Sequence, residues 1–338
     1  MNRFDNLSVL LDNEQYFFQL FAKHLKEINP LAEKVLFHQL FFIKRHIGDD
    51  FLHYVVEHRL TLALENGLKT KCRVYSISFS GHGRRSMYQA MSLVYGNKFG
   101  SGEVVIPKPL WYEEKTMSFF YLGIPGDTLL EHLKNGHLNL DYFKKIAHAL
   151  RRLHATKSPA GIFKIHDFSL NYLDPTAVLS RPQNNQDPMK AAILKQLGNL
   201  SHLKAEFIKD KNILSHGDFH PENIIIDKFD SARLALIDFS EVCLAPCYYD
   251  LASFLLQLRL MSLGYLDAKT YRQIEKTILR YYFGQTKLSA EVTRGLHLYQ
   301  AWTALKNAIY SMIFIEEHNR HYAAYLISLS VEFSQKIK

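Results

Sequence analysis

A short polar segment in the second half of the 338-residue chain contains the groups that phosphoryl transfer requires. Asp218 stands two residues after His216, Asn223 stands five residues after Asp218, and Asp238 directly follows an apolar run. A carboxylate such as that of Asp218 can orient an attacking hydroxyl group and accept its proton. Asn223 and Asp238 offer a neutral and an anionic oxygen, and hard oxygen ligands of this kind hold Mg²⁺ on nucleotide phosphates. The spacing therefore predicts a catalytic base and two magnesium ligands.

The elements around these residues predict how the three side chains are positioned. The apolar residues 213–215 lead into the segment, and residues 224–226 and 234–237 form two short strand patterns around a turn. This arrangement predicts a β-hairpin, with Asn223 before its first strand and Asp238 just past its second. The hairpin would fix the separation of the two side chains, and phosphoryl transfer depends mainly on such positioning. Any one of these polar residues could be a turn or capping residue, but their combination favours the functional interpretation.

The segment resembles the catalytic stretch of the aminoglycoside phosphotransferase and choline kinase family, whose members are distant relatives of protein kinases. That stretch reads His-Gly-Asp, an Asn five residues after the Asp, and then Ile-Asp-Phe or Ile-Asp-Trp. The matching residues of this chain are His216, Gly217, Asp218, Asn223, Ile237, Asp238 and Phe239. The resemblance implies ATP as the phosphoryl donor and Mg²⁺ as the cofactor, with Asp218 as the base and Asn223 and Asp238 as the metal ligands. It is specific over about residues 212–256 and weaker over about residues 50–160.

Other residues near the segment gain an interpretation from the same resemblance. Asp250 would bond the backbone of the catalytic loop, and its place at a predicted helix start also suits an N-cap. His154, at the end of a predicted helix, resembles a packing histidine of the family. His216 and His220 could be metal ligands, but hydrogen-bonded support of the loop is the favoured interpretation.

Two features separate this chain from other classes of enzyme. Gly217 stands where protein kinases usually carry Arg, and no Ala-Pro-Glu follows Asp238, so the pattern favours a small-molecule kinase over a protein kinase. A metallohydrolase that uses His216, Asp218, His220 and Asp238 on a catalytic metal is a rival interpretation. It would leave the hairpin spacing unexplained.

Apolar periodicity predicts an α+β fold with a strand-rich first third and a helical remainder. Residues 1–30 are predicted to be a helical extension, 31–123 the small β-rich lobe and 124–338 the large helical lobe of a protein-kinase-like two-lobe fold. The predicted strands are Val35–Ile47, Phe51–Leu64 and Cys72–Phe79, with a hairpin turn at Asn66-Gly67. The predicted helices are 7–29, Arg84–Tyr95, Leu138–His154, Met189–Lys209, Tyr248–Met261, Tyr271–Phe283 and Glu291–Ile313.

The segment of Phe120, Tyr121 and Leu122, followed by Gly123, resembles the linker between the lobes in this family. The resemblance implies that backbone groups of the segment bind the adenine ring of ATP. An ordinary buried strand and turn is the alternative interpretation, because a short apolar run that ends at a glycine is also typical of a buried strand.

The small lobe lacks a pair of residues that the family resemblance requires. A lysine on the third strand should hold the ATP phosphates, and a glutamate on the next helix should hold that lysine. Strand parity places Ser76 or Ser78 at the lysine position, and the predicted helix over 84–95 has no acidic residue. Unless the alignment is shifted here, another cation must reach the phosphates, or the chain is a pseudokinase-like nucleotide-binding protein. The candidate cations are Lys98, Arg84 and Arg85.

Composition narrows the expected partners and the compartment. The chain carries 41 Lys and Arg against 33 Asp and Glu, a formal net charge of +8, but no dense basic run. We therefore expect no nucleic-acid partner, and attribute the charge to a solvated surface or to affinity for an anionic ligand such as ATP. The 3 cysteines do not suit a disulfide framework, which predicts a cytoplasmic protein. No apolar window approaches the roughly 18 residues of a membrane segment, so no membrane association is expected. The sequence leaves the oligomeric state open.

Charge in the helical remainder predicts the class of the acceptor. Residues 251–338 carry eleven Lys and Arg against six Asp and Glu, so this region would repel a polycation such as an aminoglycoside. Glu316-Glu317 is the one adjacent pair of acids there, and a solvated helix end is its simplest interpretation. Aromatic residues are frequent in the region and suit a sugar ring or a choline-like ammonium. The predicted partner is a small-molecule hydroxyl substrate that is neutral or anionic, such as a sugar, ahead of an aminoglycoside.

Overall fold

The structure is a computed structural model. It describes residues 5–47, 52–79, 85–159, 161–166, 168, 188–207, 212–314 and 320–337. The chain divides into two compact units. Unit 1 consists of Met1–Gly126 and Ile225–Ser240, and unit 2 consists of Asp127–Ile224 and Glu241–Lys338. The hairpin that follows the polar segment thus belongs to unit 1, whereas the loop that precedes it belongs to unit 2.

Strands and helices are numbered here in chain order over the described residues. The strands are β1 (Ala32–Ile47), β2 (Leu52–Leu64), β3 (Lys69–Phe79), β4 (Val104–Val105), β5 (Pro109–Glu113), β6 (Ser118–Leu122), β7 (Gly126–Thr128), β8 (Ile213–Ser215), β9 (Ile224–Asp227), β10 (Leu234–Leu236) and β11 (Cys243–Ala245). The helices are α1 (Asp5–Leu11), α2 (Glu14–Lys23), α3 (Leu25–Ile28), α4 (Arg85–Val94), α5 (Leu129–Lys134), α6 (Leu140–His154), α7 (Pro188–Phe207), α8 (Tyr248–Met261), α9 (Ala268–Phe283), α10 (Ala290–Phe314) and α11 (Arg320–Gln335).

A five-stranded antiparallel sheet forms the body of unit 1, in the order β1-β2-β3-β6-β5. The β2–β3 hairpin turns at Asn66 and Gly67, as predicted, and Gly67 has the positive φ of +77° that this turn favours. β3 begins at Lys69 rather than at Cys72, because its backbone pairing with β2 continues past the apolar part of the strand to Ala63. The apolar pattern alone therefore gave too short a strand.

Helices α1 to α3 pack against this sheet and share its core. Phe17 and Phe21 of α2 are fully buried, and their rings contact His58 on β2 and Phe120 on β6. Asn13 caps the start of α2 with its side chain. Burial of a large apolar side chain stabilises a fold by about 1.5–3 kcal/mol, so these helices are part of the unit 1 core. The single helical segment predicted here is broken into three.

A second group of strands in unit 1 holds the hairpin. β10 runs parallel to β4, with Leu234 opposite Val104, and β9 is the next neighbour of β10. A small apolar cluster lies at these strands and consists of Val105, Ile225, Ala235 and the partly buried Ile124 and Ile237. The cluster fixes the end of β10, from which the chain continues through Ile237 to Asp238.

Helices form most of unit 2. α10 packs against α7, α8 and α11, and α9 packs against α6. The strands β8 and β11 pair antiparallel, with Ser215 opposite Cys243. This pairing places the end of β8, where the polar segment begins, beside the strand that leads into α8.

The last helix, α11, was not predicted from the sequence. Its buried residues Ala323, Leu326 and Ile327 have helical spacing, but Ser330 and Ser334 continue the same buried stripe and weaken its apolar signal. The other long helices of unit 2 lie within a few residues of their predicted bounds. Among the residues that the structure describes, none of the helices combines the length and hydropathy of a membrane span.

Candidate active site

The loop of residues 216–223 follows β8, and a glycine determines its conformation. Gly217 has a φ of +86°. A Cβ atom at this position would lie 1.9 Å from the carbonyl oxygen of Glu241. Both the backbone conformation and the available space therefore require glycine, and the loop backbone lies directly against the backbone at Glu241.

A buried carboxylate on α8 holds the start of this loop. Asp250 accepts hydrogen bonds from the backbone nitrogens of His216 at 2.7 Å and Gly217 at 2.9 Å. His154 of α6 lies 2.9 Å from the same carboxylate, and its other ring nitrogen lies 2.6 Å from the Tyr282 hydroxyl. Burial raises the pKa of Asp250, but the hydrogen bonds from His154 and from the Gly217 amide outweigh it, so the pKa is lowered. The carboxylate is therefore ionised and anchors the loop.

The positions of Asp250 and His216 bear on two interpretations that the sequence left open, the N-cap role of Asp250 and the metallohydrolase. The N-cap of α8 is Cys247, three residues before Asp250, so Asp250 does not cap the helix. The His216 ring is fully buried against Phe219, with ring centroids 5.4 Å apart. Over the described part of the chain, no group of three or more His, Cys, Asp or Glu side chains could hold a metal ion. The metallohydrolase interpretation therefore gains no support.

The loop presents Asp218 between a lysine and a histidine. Its Oδ1 atom accepts a hydrogen bond from Lys306 Nζ at 3.0 Å, and its Oδ2 atom lies 3.3 Å from His220 Nε2. Burial by itself raises the pKa of Asp218, but the Lys306 charge and the His220 hydrogen bond outweigh it and hold the pKa well below its usual value. The carboxylate is ionised at neutral pH, and 27% of the Asp218 side chain remains exposed. It is thus both charged and accessible.

His220 and Asn223 complete the loop around Asp218. His220 Nδ1 accepts a hydrogen bond from the backbone nitrogen of Glu222 at 3.3 Å. His220 Nε2 lies 3.3 Å from Asp218 Oδ2 and 3.1 Å from Asn223 Nδ2, so the ring contacts both side chains. Asn223 donates from Nδ2 to the backbone carbonyl of Asp218 at 2.8 Å. Its amide nitrogen is used to hold the loop, which leaves the amide oxygen as the atom suited to a metal.

Asp238, in unit 1, has a backbone conformation that is unusual for a residue with a side chain. Its φ is +59°, in the left-handed region that costs an L residue about 1–2 kcal/mol. Its Oδ1 atom accepts a hydrogen bond from the backbone nitrogen of Ser240 at 3.2 Å, which stabilises the turn. Burial and, next, the charge of Asp238 raise the pKa of Tyr121, so the two residues are neighbours within unit 1. Strain of this kind is concentrated at functional sites.

The predicted linker segment is the strand β6. Phe120 is fully buried in the core, and Tyr121 stacks on Tyr75 of β3 with ring centroids 5.5 Å apart. The backbone nitrogen of Leu122 donates to the carbonyl of Lys108 at 2.9 Å. The Phe120 side chain and the Leu122 amide are therefore already occupied within unit 1. Adenine binding by this segment stays a prediction.

The serines at the predicted lysine position face the interior of unit 1. Ser76 Oγ lies 2.8 Å from His58 Nε2, and Ser78 Oγ lies 2.5 Å from Ser118 Oγ. Both serines are fully buried. The predicted parity of β3 was therefore wrong, because Ser76 lies on the face that α2 covers.

The opposite face of β3 carries a polar network, and the exposed Lys69 and Lys71 lie on that same face farther towards the start of the strand. Tyr75 stacks there on Tyr121, and its hydroxyl donates to Glu57 at 3.1 Å. Arg59 Nε donates to the same carboxylate at 2.5 Å, and Arg73 Nε lies 3.7 Å from it. The two arginines on this face thus share the charge of Glu57.

The cations proposed as replacements for the lysine are placed as follows. Lys98 is exposed in an irregular turn after α4, with a φ of +70°. Arg85, the first residue of α4, forms an ion pair with Glu114 and lies 5.3 Å from the Tyr112 ring centroid. Arg84 lies outside the described residues. Arg85 is therefore already engaged with a carboxylate.

Sequence reasoning missed a cation that the structure brings to Asp218. Lys306 lies on α10, 5% exposed, 88 residues from its partner. A signal for it exists, because Lys306 is a lone charge in an otherwise apolar run that includes Trp302, Leu305 and Ile309. Lysine is almost never fully buried unless it is paired. Such a residue in a buried helix predicts an anionic partner, although not which one.

Comparisons with known proteins show the family and the fold of the chain. Residues 82–280, more than half of the chain, match the model of the phosphotransferase enzyme family. No curated protein sequence matches the chain. An ethanolamine kinase of Plasmodium vivax is structurally similar, with a TM-score of 0.64 and 13% identity over 99% of this chain and 97% of that chain.

Two further structures are similar at comparable identity. A spectinomycin phosphotransferase, solved with ADP and spectinomycin, has a TM-score of 0.55 and 15% identity over 96% of this chain and 97% of that chain. A choline/ethanolamine kinase family protein from Mesorhizobium loti has a TM-score of 0.55 and 16% identity over 82% of this chain and 87% of that chain. At these identities the likeness shows the fold, and the predicted kinase-like α+β fold is confirmed.

Proposed function

The chain belongs to the phosphotransferase enzyme family, and from this premise we propose that it transfers the γ-phosphoryl group of ATP to a hydroxyl group of a small molecule, in a Mg²⁺-dependent reaction. The acceptor oxygen attacks the γ-phosphorus atom while the bond to the bridging oxygen breaks. ADP leaves with the electron pair of that bond. The proton of the acceptor hydroxyl passes to the carboxylate of Asp218.

The state of Asp218 is the observation that carries this proposal. Its carboxylate is ionised, partly exposed and held from two sides, by Lys306 at 3.0 Å and by His220 at 3.3 Å. The loop behind it is fixed by Asp250 and by the conformation of Gly217. A carboxylate in a fixed position can orient a hydroxyl group for attack, and this orientation is the main contribution of a base in phosphoryl transfer.

The donor set suits a magnesium ion. Asn223 and Asp238 are the proposed ligands, and both offer oxygen atoms, which Mg²⁺ prefers. The Asn223 amide nitrogen is bonded to the loop backbone, so the orientation of the side chain directs its oxygen to other partners. When bound, the ion would neutralise charge on the phosphates.

Charge next to the base supports a neutral or anionic acceptor. The ammonium group of Lys306 contacts Asp218, so a cationic acceptor would meet a like charge beside the base, which is unfavourable. Of the aromatic residues that could stack on a sugar, Tyr299 and Trp302 are fully buried core residues, whereas Tyr265 is exposed. The Glu316-Glu317 pair lies outside the described residues. A sugar-like hydroxyl compound therefore remains the proposed acceptor, ahead of an aminoglycoside.

A pseudokinase-like nucleotide-binding protein is the second candidate. It is favoured by the residues of β3 nearest Tyr121 on that face, because Tyr75 stacks on Tyr121 and Arg73 forms an ion pair with Glu57. The two candidates differ in turnover, because only the enzyme consumes ATP in the presence of an acceptor.

The test combines nucleotide binding with turnover. Thermal shifts with ATP and Mg²⁺ are measured first, and ATP consumption is then screened over hydroxyl compounds. Asp218→Asn should lower turnover by about 100-fold or more while nucleotide binding stays nearly intact, since Asp218 meets the acceptor. Asp238→Asn should instead weaken Mg²⁺-dependent ATP binding, because it removes an anionic metal ligand. Undetectable ATP binding at millimolar nucleotide would refute the kinase proposal, and binding without turnover would favour the pseudokinase.

A further inference from the structure

Lys306 is buried and yet charged. It lies in the middle of α10, where Trp302, Thr303 and Leu305 are fully buried and Lys306 itself is 5% exposed. Burial lowers the pKa of a lysine, but the adjacent carboxylate of Asp218 outweighs it and holds the pKa of Lys306 well above its usual value. The side chain is therefore an ammonium ion at neutral pH.

This ammonium group has more donors than the surrounding chain uses. It carries three N–H donors and no acceptor. Over the residues that the structure describes, its one hydrogen-bond acceptor is Asp218 Oδ1, at 3.0 Å. A buried donor without an acceptor is costly, so the remaining donors favour a ligand with anionic oxygen atoms. The partly exposed carboxylate of Asp218 shows where such a ligand can enter.

The chemistry at Asp218 indicates which ligand this is. Asp218 orients the acceptor hydroxyl, and the oxygen of that hydroxyl attacks the γ-phosphorus atom, so the phosphoryl oxygens come next to the carboxylate that Lys306 contacts. Negative charge on these oxygens must be stabilised during the transfer. We propose that Lys306 donates hydrogen bonds to the oxygens of the phosphoryl group as it is transferred. The inference rests on the proposed function, and it assigns a phosphate-binding cation to α10.

The phosphoryl transfer leaves the charge of Lys306 unchanged. The bond between the acceptor oxygen and phosphorus forms, the bond to the bridging oxygen of ADP breaks, and the hydroxyl proton moves to Asp218. Lys306 remains protonated throughout and acts through its charge and its hydrogen bonds. Three arginines of unit 1 are differently engaged, because Arg59 and Arg73 share Glu57 and Arg85 is paired with a glutamate.

Comparison of ATP with ADP tests the inference without knowledge of the acceptor. The affinities of Mg²⁺–ATP and Mg²⁺–ADP are measured by calorimetry on the unmodified full chain and on Lys306→Met. A contact with the γ-phosphoryl group predicts that the preference for ATP over ADP falls by about 10-fold or more in Lys306→Met, with ADP affinity nearly unchanged. Lys306→Arg, which keeps the charge, should retain part of that preference.

Two controls separate this effect from a loss of structure. Lys204→Met removes another partly buried lysine of unit 2, which bonds the carbonyl of His166, and the ratio of the two affinities should stay unchanged. Lys306→Met leaves the Asp218 charge without its lysine and could unfold the chain. For that case, the double variant Asp218→Asn/Lys306→Met is compared with Asp218→Asn alone, and only the double variant should lose the preference for ATP.

Each other outcome overturns the inference in a different way. An unchanged ATP-to-ADP ratio in both comparisons would make Lys306 a structural partner of Asp218 alone. An equal fall in the affinities for ATP and ADP would mean that Lys306 acts on a part that both nucleotides share, and not on the γ-phosphoryl group. A rise in the KM of an acceptor at a constant ratio would assign Lys306 to an anionic group of the acceptor. If the unmodified protein binds neither nucleotide, the proposed function fails as well.

Discussion

At the scale of single residues, the pair of Asp218 and Lys306 determines the charge at the site. A carboxylate that is partly withdrawn from water tends to take up a proton. Lys306 reverses this tendency and keeps Asp218 ionised. Removal of one partner from such a pair leaves a buried charge uncompensated, whereas removal of both is far less disruptive. The pair is therefore best understood as a means of holding the base in its charged form.

The pH dependence of turnover should reveal this coupling. With Lys306 present, the pKa of Asp218 lies well below its usual value, so turnover should persist as the pH falls to about 4. In Lys306→Met, only the interaction with His220 still opposes the effect of burial, so the pKa of Asp218 rises and the acidic limb of the profile should move to higher pH. The measurement is the turnover number against pH, each curve scaled to its own plateau. Lys306→Arg should keep the acidic limb of the unmodified protein, and coincident limbs for all three proteins would refute the coupling.

Asp250 should contribute to stability through the same kind of charge. It accepts two backbone hydrogen bonds from the loop and one from His154, so Asp250→Asn should lower the free energy of unfolding by about 2–3 kcal/mol at pH 7. Because the folded-state pKa is lowered, the contribution is complete above the unfolded-state pKa near 3.8. It is lost as the pH falls below that value through the folded-state pKa.

Denaturant titrations at several pH values would measure this difference. Asp267→Asn is the matched control, because Asp267 is an exposed N-cap that accepts from the backbone nitrogen of Thr270, and Asn caps equally well. Its free energy of unfolding should hardly change. A difference for Asp250→Asn that stays constant down to pH 3 would contradict the assignment of an ionised anchor.

At the scale of elements, the loop between β8 and β9 depends on one backbone conformation. Gly217→Ala should destabilise the protein by about 2–3 kcal/mol, since the new Cβ atom meets the Glu241 carbonyl oxygen at 1.9 Å in addition to the positive φ. Turnover should fall about 100-fold, because a displaced loop misplaces the neighbouring Asp218. Unfolding titrations and ATP consumption are the measurements.

Gly264→Ala provides the control for backbone conformation alone. Gly264 has a φ of +88°, close to that of Gly217, but a Cβ atom there has nothing within 4 Å. Gly264→Ala should lower the free energy of unfolding by about 1–2 kcal/mol and leave turnover unchanged. If the two variants were equally stable, the contact with Glu241 would be irrelevant to the loop.

The sequence predicted those features of the site that are local in the chain. Asp218, Asn223 and Asp238 lie within one short segment, so their spacing alone indicated chemistry, and Gly217 was singled out there. Lys306 lies 88 residues from Asp218, and no local pattern names its partner. The apolar pattern predicted most strands and helices for the same reason, because each depends on the periodicity of its own residues.

The strand β3 shows why some features of the site could not be predicted from the sequence. Residues 76–79 are buried without interruption, since both faces of this end of the strand are covered. Alternation of burial, which normally distinguishes the two faces of a strand, is therefore absent from this part of the sequence. Strand parity therefore placed Ser76 or Ser78 at the position of the missing lysine, although both belong to the face that packs against helices. Only the contacts of Ser76 with β2 reveal this.

At the scale of the whole molecule, the two units are interleaved along the chain. The chain passes from unit 1 to unit 2 after Gly126, returns for Ile225–Ser240 and leaves again at Glu241. The returning segment supplies β9 and β10, and β10 is the parallel partner of β4. Neither unit is therefore one continuous piece, and each proposed magnesium ligand depends on a different unit for its position.

The distribution of charge over the molecule leads to the last prediction, which concerns the acceptor. Residues 251–338 carry five more basic than acidic residues, from eleven Lys and Arg against six Asp and Glu. One of these bases, Lys306, contacts Asp218 directly. A polycation would have to approach the base against this charge, whereas a neutral or anionic sugar would not. We therefore expect ATP consumption with sugars or sugar derivatives and none with aminoglycosides.

A resistance assay tests the same prediction in cells. The protein is expressed in a sensitive bacterium, which is challenged with kanamycin-type and streptomycin-type drugs, and no protection is expected. Asp218→Asn is the control, since resistance that disappears in this variant would overturn the acceptor assignment while supporting the proposed reaction.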